Sequence, residues 1–151
     1  MDPVPSAENI QPSLEPLEIS LPLPKSPHTT LHIHLTFLAT SVMVFICTTV
    51  PGDSGAGEGG ALNSMGSFVY AMPDRTNSRA TISTTLQTSP ASIDYTTRTA
   101  KILSRRMNAP VYVGCSIDTM AMGSTVEEEM EGFTKIIDVI MERWNEWRSK
   151  Q

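Results

Sequence analysis

The chain has 151 residues, the length of one domain with a short tail to spare, and its 40% hydrophobic content supports one core. Eleven Lys and Arg against sixteen Asp and Glu give a formal net charge of −5. That balance lacks the basic footprint needed to neutralise phosphates and excludes a general nucleic-acid binder. Nine methionines are a high count; they read first as fillers of irregular core gaps and second as adaptable contact surface. Cys47 and Cys115 both lie in apolar, strand-like runs and read as buried free thiols of a reducing compartment. The N-terminus is acidic and proline-rich, not basic and then apolar, so no signal peptide is expected.

Residues 1–28 hold seven of the eleven prolines. Proline fixes φ and removes a backbone donor, so this segment is expected to be a disordered, extended arm, with Leu14, Leu17, Leu21 and Leu23 available for docking. Residues 29–151 are expected to form a single α+β domain. Within it, Leu31 to Val50 approaches the ~20 residues of a membrane-spanning helix. However, it carries His32 and His34, and Leu31, Ile33, Leu35 and Phe37 alternate with polar residues. Period two with β-branched enrichment predicts two strands, LHIHLTFL and SVMVFICTT, joined by a tight turn near Ala39–Ser41; no membrane contact is expected. Residues 51–61 carry five of the nine glycines and read as a flexible loop.

NSMGSFVYAM predicts a third strand, stopped by Pro73 and Asp74, and ATISTTL a fourth. A helix then follows TSP: Ser89 is suited to cap it, with Pro90 at its first position, and Ile93, Thr96, Ala100, Leu103 and Met107 share one face. Asn108 and Pro110 end it. VYVGCSI is a fifth strand, and residues near Met120 to Met122 have room for a short sixth. Thr125 with Glu128 makes a capping box for the last helix, with Glu127 to Glu129 at its positive end. Its apolar residues recur at Val126, Met130, Phe133, Ile137, Ile140, Trp144 and Trp147. The fold class is therefore α+β: an antiparallel five- to six-stranded sheet with two helices packed mainly on one face.

This arrangement implies a partner. A sheet covered on one face and wet on the other should alternate apolar with polar residues, yet VMVFIC is apolar throughout and SFVYAM and VYVGC nearly so. Two helices can cover one face of such a sheet and hardly two. The other face would be a large apolar patch, which monomers rarely expose. Parity within the strands places Val44, Ile46, Phe68 and Tyr70 on that uncovered face. Arg98, Lys101 and Arg105 form a basic stripe on the first helix, with Arg106 adjacent. The default reading is a solvated helix face, but in an acidic protein such a stripe can steer an acidic partner surface.

No constellation carries catalysis. Gly52-Asp53-Ser54-Gly55 echoes a protease nucleophile loop, but the chain is too short for the scaffold that orients a base and a buried acid. Gly55, Gly57 and Gly60 spell GxGxxG, but a strand follows where a dinucleotide site needs a helix N-terminus. His32 and His34 point to one side of a strand without a third ligand at metal spacing. No nucleophile, metal set, cofactor site or phosphate loop is expected, and the chain is not expected to be an enzyme.

The run RTAKILSRRMNAPVYVGCSI, preceded by SFVYAM and ATISTTL, resembles proteasome assembly chaperone 4 of the fungal type. The matching positions are Ala71 and Met72, Ser83 to Thr85, Arg105 and Arg106, Asn108, and Val111 to Val113, followed by a closing helix with an acidic start. The likeness spans about residues 31–147. The proline-rich arm and the glycine loop depart from it as additions, and Gly114 stands where a Ser is common. The resemblance implies a heterodimer with a proteasome assembly chaperone 3-like protein that binds proteasome α subunits. That pair would template the α ring of the 20S core particle in cytoplasm and nucleus, then leave the mature particle. The alternative class is a small roadblock-like or longin-like trafficking or scaffold adaptor, which would dimerise through sheet edges.

Overall fold

The computed structural model describes residues 15–23, 26–50, 65–77, 79–118 and 125–151. Its elements are β1 (Leu17–Leu23), β2 (Ser26–Phe37), β3 (Val42–Thr49), β4 (Ser67–Pro73), β5 (Thr81–Gln87), α1 (Ile93–Met107), β6 (Val111–Cys115) and α2 (Val126–Ser149). The six strands form one sheet in the order β1-β2-β3-β6-β4-β5. The fold is the α+β class expected, with one departure from an all-antiparallel sheet. β6 enters between β3 and β4 and runs parallel to β3, with Val42 opposite Val111 and Ile46 opposite Cys115. Its other neighbour, β4, is antiparallel. Because α1 lies between β5 and β6 in sequence and packs on β4, β6 and β5, it carries the chain over β4 to an interior position. A hairpin could not reach that place.

Among the described residues the sixth strand comes from the N-terminal segment. The region near Met120–Met122 lies outside the described residues, as do residues 1–14 and the glycine loop at 51–61. β1 forms from residues 17–23, inside the segment expected to be a disordered arm. It pairs antiparallel with β2, Leu17 opposite Leu35 and Leu21 opposite Leu31. The physical reason is its place at the sheet edge, where Pro22 costs no ladder bond that an interior strand would need. Ile19, Leu21 and Leu23 then pack against the core.

Side chains alternate between the two faces as period two demands. Leu31, Ile33 and Leu35 of β2, Val42 and Val44 of β3, Val69 and Ala71 of β4, and Val111 and Val113 of β6 are fully buried against the helices. α1 contributes Thr96, Ala100, Leu103 and Met107, the face its spacing announced. Its start differs from expectation. The N-cap is Ser92, whose side chain makes no capping bond, and Ser89 accepts from the backbone N–H groups of Ser92 and Ile93 instead. The capping turn is held from the sheet: Ser67 Oγ accepts from Ser89 N at 2.9 Å and lies 2.9 Å from Ser92 Oγ. Asn108, in the left-handed region, ends the helix.

The capping box of α2 is present, with Glu128 N donating to Thr125 Oγ1 at 3.2 Å. Its buried stripe is shorter than the sequence spacing suggested. Ile136, Ile137, Ile140 and Trp144 are inside, whereas Val126 and Met130 are exposed. The helix overshoots the edge of the core at its N-terminal end. At the other end Phe37 stacks with Trp147 at 5.1 Å and meets Trp144 at 5.8 Å, fixing the helix to the end of β2. Gly66, at φ +73, directly precedes β4 where a Cβ would stand 2.3 Å from the Cys115 carbonyl oxygen, so only glycine fits.

Candidate functional site

With both helices on one side, the opposite side of the sheet is covered by no element among the described residues. Register determines what it presents. Tyr70 is opposite Tyr112 across β4 and β6, and Phe68 is opposite Gly114. Gly114 is in turn opposite Phe45 of β3. These three central strands therefore bring four rings into one row. Phe45 and Phe68 stack at 6.0 Å with planes 11° apart, Phe68 and Tyr112 stack at 6.0 Å, and Tyr70 meets Tyr112 at 4.7 Å. Met43, Cys47 and Met72 extend the row, and all of these side chains are half-buried. β3, β6 and β4 carry no Asp, Glu, Lys or Arg. Such a surface gains by leaving water as a unit.

The other half of the same face, on β1 and β2, is polar. His32 joins three strands: Ser20 Oγ is 3.0 Å from its Nδ1, and Thr49 Oγ1 is 2.8 Å from its Nε2. His34 Nδ1 stands 3.8 Å from a Glu18 carboxylate oxygen. These contacts account for both histidines as surface residues that cross-link an edge. Among the described residues no group of three metal-ligating side chains converges, and no helix is long and apolar enough to cross a membrane. The Gly52–Gly60 look-alikes lie outside the described residues.

The four residues placed on the open face by sequence parity divide evenly. Phe68 and Tyr70 are there. Val44 and Ile46 face the helices instead, 0% and 2% exposed, and Met43 and Phe45 take their place on the open side. An all-apolar run cannot fix its own parity, because both choices look alike. The hairpin could have fixed it: Leu35 lies directly opposite Val44, and directly opposed residues share a face. Tyr112 and Gly114, missed from the sequence, follow from the same register argument once β6 is known to sit beside β3.

The basic stripe is on the helix layer, away from the open face. Lys101 and Arg105 are exposed, but Arg98 is engaged. Its guanidinium bonds Glu129 at 2.9 Å and lies over the rings of Tyr95 and Phe133, at 5.8 and 5.4 Å. Tyr95 and Phe133 themselves meet edge to face at 5.4 Å. Arg98 therefore clasps α1 to α2. Burial raises the Tyr95 hydroxyl well above the usual phenol range, so it stays neutral beneath this clasp.

Residues 30–117, more than half of the chain, match the family model described as Proteasome assembly chaperone 4. The matched segment runs from β2 to just beyond β6 and so contains the whole aromatic row. Among solved structures, a chain from the crystal structure of a novel chaperone complex for yeast 20S proteasome assembly has the same fold, with a TM-score of 0.58. The two chains are 19% identical, and the match covers 85% of this chain and 95% of that one. No curated protein matches the chain.

Proposed function

The chain belongs to the proteasome assembly chaperone 4 family, and from that membership we propose that it works as one half of a heterodimer with a proteasome assembly chaperone 3-like protein. The pair binds α subunits of the 20S particle and favours their correct neighbour order in the forming ring, then departs. The mechanism is templating by binding energy, without chemistry of its own. The observation that carries the proposal is the uncharged aromatic row across β3, β6 and β4, which the chain's own helices leave uncovered. A partner sheet laid on that row removes it from water, as the two layers of a β-sandwich do for each other. The helix layer then faces outward with Lys101 and Arg105 of α1, a surface suited to an acidic patch on an α subunit. Cys47 and Cys115 form no disulfide, which suits the reducing cytosol and nucleus where this assembly would occur.

Affinity purification of the tagged chain from its own cells, with mass spectrometry of the companions, tests this. The expected companions are one chaperone of similar size and proteasome α subunits, with few mature β subunits. Recovery of coat or tethering proteins instead would overturn it in favour of the adaptor class.

A further inference from the structure

Gly114 lies at the centre of the aromatic row. Its φ is outside the left-handed region, so its backbone does not demand glycine. Space demands it. A Cβ at this position would lie 2.6 Å from Phe45 Cδ1, 2.9 Å from Phe45 Cε1 and 3.2 Å from Met65 Cγ. Phe45 and Phe68 come from strands on either side of β6, whose neighbours stand about 4.8 Å away on each side. Their backbones are therefore about 9.6 Å apart, yet their rings are 6.0 Å apart and nearly parallel. The rings close that distance by leaning over the bare Gly114 backbone.

We infer that Gly114 is the residue that shapes the partner-docking floor, acting through Phe45. With no side chain at 114, the Phe45 ring lies down across β6 and the row becomes a continuous, low apolar floor. Any side chain there props the ring up and breaks the floor into separate knobs. The occupant that fits a low, uncharged floor is the apolar face of a second sheet, with aliphatic side chains resting on the rings. The row spans three adjacent strands and carries no charged side chain, which suits the face of a second sheet. This inference rests on the open face being the chaperone contact. It makes Gly114 a positioning residue for recognition, since the atoms that must yield are side-chain atoms of Phe45 and Met65 and not backbone.

The test is a binding titration against the proteasome assembly chaperone 3-like protein of the same cells, with wild type, Gly114→Ala, Phe45→Ala and the double variant. For Gly114→Ala we expect at least about a tenfold loss of affinity, with a melting temperature within about 3 °C of wild type. The nuclear Overhauser contact between the Phe45 and Phe68 rings should disappear in the same variant. In the Phe45→Ala background the second substitution should change affinity less than about twofold, because the ring is gone and only Met65, at 3.2 Å, is left to give. Unchanged affinity of Gly114→Ala, or retention of the ring contact, would overturn the role of Gly114 and leave the heterodimer reading intact. A wild-type chain that does not bind this probe would overturn both.

Discussion

Cys115 ends β6 beneath α1, and burial pushes its thiol up to about 11. Its ordinary value is 9.0, so in the unfolded chain it ionises first. The folded state then holds a proton that the unfolded state has released, and stability falls as pH rises through the window from about 9 to about 11. The raised Tyr95 hydroxyl works in the same direction at higher pH. Urea unfolding followed between pH 8 and 11 should show a declining midpoint, and Cys115→Ser should flatten part of the decline. At pH 8 a thiol reagent should modify half-buried Cys47 well before Cys115, which reacts at the rate of unfolding. In the core, Ile140→Ala removes a fully buried side chain of α2 and should cost about 2–5 kcal/mol by chemical denaturation. Val126→Ala on the same helix is 72% exposed and should fall within about 0.5 kcal/mol of wild type. The two positions are indistinguishable by helical spacing, so the pair measures where the core stops.

Each helix is anchored by a different device, and the difference is open to measurement. α2 carries its own start signal: Thr125 and Glu128 satisfy each other's backbone donors without help from the rest of the molecule. Thr125→Ala should cost about 1 kcal/mol, and a peptide spanning α2 should lose helicity with the same change. α1 has no such signal. Its first turn is held by Ser67 on β4, which accepts the Ser89 N–H and sits against Ser92. Ser67→Ala would leave a part-buried donor without its acceptor and should cost about 1–3 kcal/mol of protein stability, with no effect on an isolated α1 peptide. This explains why the start of α2 was legible in the sequence and that of α1 was misplaced. A capping box is a local pattern, whereas the α1 cap belongs to a residue two strands and a turn away. β1 illustrates the same point. It lies in a proline-rich segment that reads as a free arm, and only its pairing with β2 makes it a strand. Deleting residues 1–23 should lower the melting temperature, because Ile19, Leu21 and Leu23 pack against the core.

For the whole molecule, the arrangement separates two surfaces by one layer each: the aromatic row under the sheet and the basic residues on α1 above it. If the row holds a partner chaperone and the helices face an α subunit, substitutions on one surface should spare the other function. Lys101→Glu with Arg105→Glu should weaken α-subunit binding while leaving folding and chaperone pairing unchanged, by pull-down and thermal melting. Arg98 is omitted because a glutamate there would face Glu129 and lose the stacking on Tyr95 and Phe133, so its reversal would loosen α1 from α2. Retention of full α-subunit binding by the double reversal would remove the basic residues from the mechanism. Raised salt should weaken the α-subunit contact more than the sheet contact, since only the former rests on exposed charge.

The sequence by itself determined the strand and helix content from β2 onward, the box that starts α2, the apolar face of α1 and the surplus of apolar strand surface that implies a partner. All of these are local patterns of period two or 3.6, or consequences of counting faces against helices. Only the tertiary structure decided the position of β6 between β3 and β4, the recruitment of residues 17–23 as an edge strand, and the parity that turns Phe45 outward and Val44 inward. Each of those depends on which strand lies beside which. That choice is made by long-range pairing, and a uniformly apolar run of residues carries no mark of it.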